Sequence, residues 1–413
     1  MSKKLIKNSI IYTIGDFTVV AISGFLLLPF YTRALTQADY GLFNIINASI
    51  AILTFLVHFG MISTYSRLYF NQKTEDEKKL FTGQVILLHF LISLVLIILI
   101  YIFRETIQNS LLQKVDNTIY FYYIFIMGFF SFISSLYAIV LRINEEAGNF
   151  LAFQLSQVGL YVLFIFVFRE FTENTLDAIL IASFLSAIIV WIYAILKLNF
   201  IFKLNNFISI IKKILHFALP IFVGYVMYFA LNRFNVLYLQ YHESLENIAL
   251  FSFALQLSMV LTIFAGSFGK AVQPMIFKLE RNEVLEKSKK IALYYKLVLT
   301  FILIMFYLLA DNIISLFAPE SYSESKEVFL LLLIGVYIYN LRSVESYLFM
   351  YFHKPRYGLY IVTISAFVIL ILSYIIVDRY GYIGSGYAIL IGSFIAYLSN
   401  KYYSYKLIKM EYK

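Results

Sequence analysis

Ala178-Ile-Leu-Ile-Ala-Ser-Phe184 recurs 210 residues later as Ala388-Ile-Leu-Ile-Gly-Ser-Phe394, identical at six of seven positions. Each copy lies in an apolar stretch of about 20 residues, enough for a helix rising ~1.5 Å per residue to cross ~30 Å of hydrocarbon. At nearly the same offset Leu42-Phe43 falls on Leu250-Phe251, and Leu53-Thr54 falls on Leu261-Thr262. A constant offset that also keeps helix number and orientation in register reads as an internal duplication.

Working outward, twelve such stretches are expected to form helices, near 10–31, 42–66, 80–103, 118–141, 150–168, 178–196, 214–239, 248–269, 291–310, 327–350, 357–377 and 384–400. The sequence therefore predicts an all-α integral membrane protein of twelve transmembrane helices in two six-helix lobes. Residues 1–200 form the N-terminal lobe and 201–413 the C-terminal lobe. Lys197, Lys203, Lys212 and Lys213 interleave with Phe200, Phe202, Phe207 and Ile211, which reads as an amphipathic linker over 197–213. Because six helices return the chain to its starting side, the repeats are parallel, and the groove between them is the expected substrate passage.

Composition agrees. Of 413 residues 61% are hydrophobic and 14% charged, with mean hydropathy +0.81, too little polar surface to coat a soluble globule of this size. The net charge of +9 could point to nucleic acid, but its distribution says otherwise. With the N-terminus cytoplasmic, 24 of the 33 Lys and Arg fall on inner segments and 6 on outer ones. The excess obeys the positive-inside rule, with both termini cytoplasmic and no nucleic-acid partner expected. Lys3, Lys4 and Lys7 followed by an apolar run with Ala21 and Ser23 could pass for a secretory leader; the run is read instead as the first membrane helix. There is no cysteine, hence no disulfide, thiolate metal site or cysteine nucleophile.

Ionisable groups at membrane depth are costly unless paired or hydrated, which makes each a candidate. Asp16 could bind a coupling proton or cation, or be neutralised by a neighbouring helix. On the second helix Asn44, Asn47, Thr54 and His58 share a face, lining a cavity or bonding other helices. On the seventh, Tyr225, Tyr228, Asn232 and Asn235 share a face, with Arg233 about 100° away from it. Arg233 could snorkel outward or hold a phosphate by charge-assisted bonds. Arg342 and Glu345, three apart, are expected to neutralise each other. Lys296 most simply reaches the interface, and His89 reads as a hydrogen-bonded interior histidine. No H-E-x-x-H, G-x-S-x-G or Walker sequence occurs, and the longest outer loops, 104–117 and 311–326, are too short for an active-site domain. Neither catalysis nor a bound metal is expected.

Asn8, Pro29, Tyr31, Arg33, Leu35 and Tyr40-Gly41-Leu42, then Gly60, Arg67, Pro220, Pro274, Tyr380-Gly381 and Gly384, together resemble the polysaccharide flippase (Wzx-like) branch of the multidrug/oligosaccharidyl-lipid/polysaccharide (MOP) exporter superfamily. The likeness runs over essentially the whole chain. It implies a MATE-like fold in a bacterial cytoplasmic membrane. It also implies a flippase that carries a polyprenyl-diphosphate-linked oligosaccharide from inner to outer leaflet by alternating access, for capsule, O-antigen or another surface glycan. Membrane lipids and a glycan polymerase or other assembly proteins would be partners, and a proton or sodium gradient would stand in place of any cofactor. In such proteins the first, second, seventh and eighth helices line a partly cationic cavity, which Arg233, Asn232, Asn235, Tyr228, Asn44, Asn47 and His58 match. Two alternatives stand beside it: a cation-coupled multidrug extruder using Asp16, and a non-transporting scaffold of a glycan-assembly complex.

Overall fold

A computed structural model describes residues 11, 12, 14, 15, 18, 22–114, 118–203 and 207–412, and helices are the only regular elements among them. Part of the expected first helix, Asp16 included, lies outside the described residues; its last part forms a π-helix at Ile22–Leu26 and an α-helix at Leu28–Ala34. Ten helices among the described residues are long and apolar enough to cross a membrane. The last, Arg356–Glu411, is 56 residues long and is interrupted at Gly381, where φ is 55° and ψ −141°. Ser365 Oγ donates to Gly392 O at 2.8 Å, and the Tyr357 and Tyr403 rings stack at 4.9 Å. The two limbs therefore run antiparallel, so this element is the expected eleventh and twelfth helices joined at a hairpin.

Local signals explain several ends. Thr74 and Glu77 form a capping box that starts Glu75–Ile102 five residues earlier than hydropathy predicts. Asn174 caps Thr175–Lys197, and Ser244 caps Leu245–Ser258. Phe59 and Gly60 take positive φ and split the expected second helix into Gln37–His58 and Met61–Tyr69. Leu94, Val95, Ile97 and Ile98 are exposed on Glu75–Ile102, the surface that hydrocarbon covers in a spanning helix. The protein is a multi-pass membrane protein.

Contacts divide the chain into two compact units, Met1–Ser23 with Ile45–Phe229, and Gly24–Asn44 with Ala230–Lys413. The division thus departs from the expected boundary near residue 200. Residues 24–44 belong with the second unit because Gln256 donates to Gly24 O at 3.0 Å, Thr32 to Phe317 O at 2.6 Å and Arg33 to Leu316 O at 2.9 Å. Residues 207–229 belong with the first, where Phe222 stacks on Phe59 at 4.5 Å and Tyr225 bonds Ser63 at 2.8 Å. Residues 204–206 of the expected linker lie outside the described set; just before them, Ile201 N donates to Lys79 O at 3.1 Å.

The opening heptapeptides occupy matching environments in their own units. Ala178, Ile179 and Ala182 are buried with Ile181 turned out, as are Ala388, Ile389 and Gly392 with Ile391 turned out. The one difference in sequence has a cause: a methyl at Gly392 would collide with the Ile369 side chain across the hairpin.

Candidate functional site

In the second unit, Gln37–His58 begins against Leu245, so closely that a Cβ at Gly41 would strike the Leu245 carbonyl. This seats Tyr40 in the interior, 3% exposed. Asn44 Nδ2 donates to Tyr40 O at 2.8 Å, and Tyr40 lies within electrostatic reach of Arg233. The structure therefore brings the predicted Asn44 and Arg233 together through a residue the sequence reading did not select. The signal was present in the i, i+4 spacing of Tyr40 and Asn44. A guanidinium, an amide and a phenol in one cluster suit an anionic or hydroxyl-rich ligand.

Asn235 does not join this group. The chain leaves helical geometry at Arg233 (φ −132°, ψ −19°), which separates Phe207–Asn232 from Phe234–Leu239. The face shared by Tyr225, Tyr228 and Asn232 therefore ends at the break. Asn235 is 3% exposed and accepts from Ser373 Oγ at 2.7 Å, an internal bond of the unit in place of the expected cavity lining. Asn232 is half-buried at the end of its helix.

In the first unit, His58 Nε2 lies 3.0 Å from Ser131 Oγ, and that hydroxyl donates to Gly128 O at 2.6 Å. Since the hydroxyl has one proton, His58 Nε2 carries the hydrogen of the shared bond. The ring sits edge-on to Phe132 at 5.5 Å. His58 thus ties two helices together. Asn47 is half-buried and Tyr228 exposed, while Tyr225 stacks on Phe55 at 5.9 Å. His89 is fully interior as expected, but both ring nitrogens lack a hydrogen-bond partner; the ring stacks on Phe132 at 4.2 Å instead.

The expected Arg342 and Glu345 pair is replaced. Glu345 Oε1 accepts from Lys296 Nζ and Lys401 Nζ, each at 2.7 Å, while the Arg342 guanidinium lies 4.0 Å over the Tyr339 ring. Helical spacing suggested the pair, but the Arg342 side chain turns back to the aromatic face of Tyr339. Lys296 is accordingly held inside the unit and does not reach for the interface. Among the described residues no group of three or more His, Asp or Glu is arranged to hold a metal ion.

Comparison with known proteins places this geometry. The polysaccharide biosynthesis protein family matches residues 5–280. The Lsg locus protein 1 of Haemophilus influenzae is 21% identical over 346 residues, covering 80% of this chain and 81% of that protein. Among solved structures, the lipid II flippase MurJ in an inward closed conformation is 18% identical with a TM-score of 0.70, covering 99% of this chain and 90% of its own. An inward-facing multidrug resistance MATE transporter of the MOP superfamily is 16% identical with a TM-score of 0.69, covering 97% and 96%. A MOP superfamily transporter from Pyrococcus furiosus, described as having a binding pocket of reverse polarity, is 18% identical with a TM-score of 0.64, covering 100% and 96%. These neighbours are transporters, not catalysts. The chain therefore belongs to the polysaccharide biosynthesis protein family and is built on the fold of the MOP transporters.

Proposed function

We propose that the protein is a flippase for a polyprenyl-diphosphate-linked oligosaccharide repeat unit, moving it from the inner to the outer leaflet of a bacterial cytoplasmic membrane by alternating access. Capsule, O-antigen or another surface polysaccharide would be the destination, and both termini would be cytoplasmic. The observation that carries this reading is the match to the polysaccharide biosynthesis family over 5–280 on a chain with a transporter fold. The physical case is that the glycan head must avoid hydrocarbon while the polyprenyl tail need not. A protein that hydrates only the head lowers the barrier, and a gradient or downstream consumption supplies direction.

Arg233, with Asn44 and Tyr40 beside it, would engage the diphosphate; Asn232, Asn47 and Tyr228 would contact sugar. Asp16 would couple transport to a proton or sodium ion. The two units, Met1–Ser23 with Ile45–Phe229 and Gly24–Asn44 with Ala230–Lys413, would be the two moving lobes, and a glycan polymerase would take the product. Deletion of the gene tests the whole reading: lipid-linked glycan should accumulate on the inner leaflet, with surface glycan restored by the wild-type chain. Normal surface glycan in the deletion, with new sensitivity to cationic drugs, would instead identify a multidrug extruder.

A further inference from the structure

From Ala178 to His242 the chain carries Lys197, Lys203, Lys212, Lys213 and Arg233 and no Asp or Glu at all. The fold decides which side of this basic stretch is spent on protein. Leu198 and Ile214 are buried in the core of the first unit, and Phe200, Ile210, Ile211 and Phe217 pack against it. Ile201 N donates to Lys79 O at 3.1 Å, and a Cβ at Gly83 would strike the Ile201 carbonyl. The linker is thus held against the first part of Glu75–Ile102, with much of its apolar pattern turned inward.

What remains outward is basic. Lys203, Lys212, Lys213 and His216 are exposed, and Phe202 and Ile208 stand among them, 56% and 72% exposed. Among the described residues no carboxylate pairs with Lys203, Lys212 or Lys213. The acids at the start of Glu75–Ile102 are engaged elsewhere: Glu75 by Lys78 at 2.6 Å, Asp76 by Lys79 at 3.8 Å and Glu77 by Lys73 N at 2.7 Å. The surface lies at the ends of membrane spans. Arg67, in the last turn of Met61–Tyr69, sits 4.4 Å over Phe217, and Lys212 and Lys213 come about one turn earlier in Phe207–Asn232. The distribution of Lys and Arg makes this the expected cytoplasmic end. Unpaired lysines alone are ordinary in water, but outward apolar side chains between them fit the boundary between headgroups and acyl chains.

We infer that Lys203, Lys212 and Lys213, with Phe202 and Ile208, form a docking surface for the anionic lipid headgroups of the adjoining leaflet. The ammonium groups donate to lipid phosphates, and the two apolar side chains enter the acyl boundary beside them. A surface at the ends of spanning helices meets lipid before it meets any soluble acidic protein. The contacts of Ile201 with Lys79 and Gly83 fix the neighbouring Lys203 to the first unit, so lipid held here is held by that unit. The surface does not involve Arg233 and does not depend on which glycan is carried.

The chain has no cysteine, so Ser209→Cys, at an exposed position between Ile208 and Lys212, gives the full-length protein a single attachment point for a fluorophore. In phosphatidylcholine nanodiscs, spin-labelled phosphatidylglycerol should quench this fluorophore at a mole fraction at least about fivefold lower than spin-labelled phosphatidylcholine, and added salt should shrink the difference. Lys203→Gln, Lys212→Gln and Lys213→Gln together should make the two lipids equal. Lys212→Glu with Lys213→Glu should make phosphatidylcholine the better quencher, whereas a mere loss of fold would change both lipids alike. Equal quenching by the two lipids without these substitutions, or a preference that survives the triple Gln variant, overturns the surface. Quenching by neither lipid overturns the lipid as occupant and leaves a soluble acidic partner.

Discussion

Lys296 and Glu345 are joined by a 2.7 Å ion pair within the second unit, and the Glu345 side chain is only 16% exposed. Removing the carboxylate leaves two ammonium groups facing each other. Glu345→Ala should destabilise the detergent-purified protein by about 1–3 kcal/mol, because the ammonium groups it leaves are partly exposed and rehydrate. Lys401→Ala should cost about 1 kcal/mol or less, since its side chain is nearly half exposed and screened. Thermal unfolding followed by tryptophan fluorescence at Trp191 or by aggregation onset measures both, and equal losses would contradict the asymmetry.

Gly381 makes the hairpin of the last two helices, and its φ of 55° with ψ of −141° is a conformation that L side chains avoid. A methyl there would also collide with the Glu243 carboxylate, which accepts from Tyr382 N at 3.0 Å. Gly381→Ala should therefore lower stability by about 2–3 kcal/mol, with a reduced yield of folded protein. An unchanged melting temperature would mean that the turn is not constrained as described.

His58 and Ser131 should behave as one unit. Each alanine substitution should cost about 1 kcal/mol, and the double variant should cost little more than either single, because one hydrogen bond is lost only once. Simple additivity in this cycle would show that the two side chains do not depend on each other.

Arg233 separates a transporter from a scaffold. If it engages the diphosphate, Arg233→Ala should reduce surface glycan at least about tenfold at unchanged membrane abundance, and Arg233→Lys should recover part of it. A scaffold would export glycan normally with either substitution. Asp16→Asn is expected to impair transport into reconstituted vesicles across an imposed gradient, and transport indifferent to the gradient would remove Asp16 from the mechanism.

The membrane helices were legible because hydrocarbon imposes a simple demand, about 20 apolar residues per crossing, which hydropathy reads without knowing any partner. Gly60 and Gly381 were visible as residues, and only the folded backbone shows them as sites of positive φ. The cluster of Asn44 and Arg233 was half legible. Each was selected for being polar in an apolar helix, whereas Tyr40 was named only for its family likeness, since a tyrosine near a helix start carries no polar signal of its own.

What the repeated heptapeptide and the apolar periods determined by themselves was an all-helical membrane protein with an internal duplication, because period and length are properties of one segment at a time. Tertiary structure alone decided partners. The break at Arg233 turned Asn235 toward Ser373, and the packing of other helices brought Lys296 and Lys401 to Glu345. Helical spacing predicts neighbours only while the helix continues, and a carboxylate at membrane depth takes whichever cations the packing of other helices brings to it.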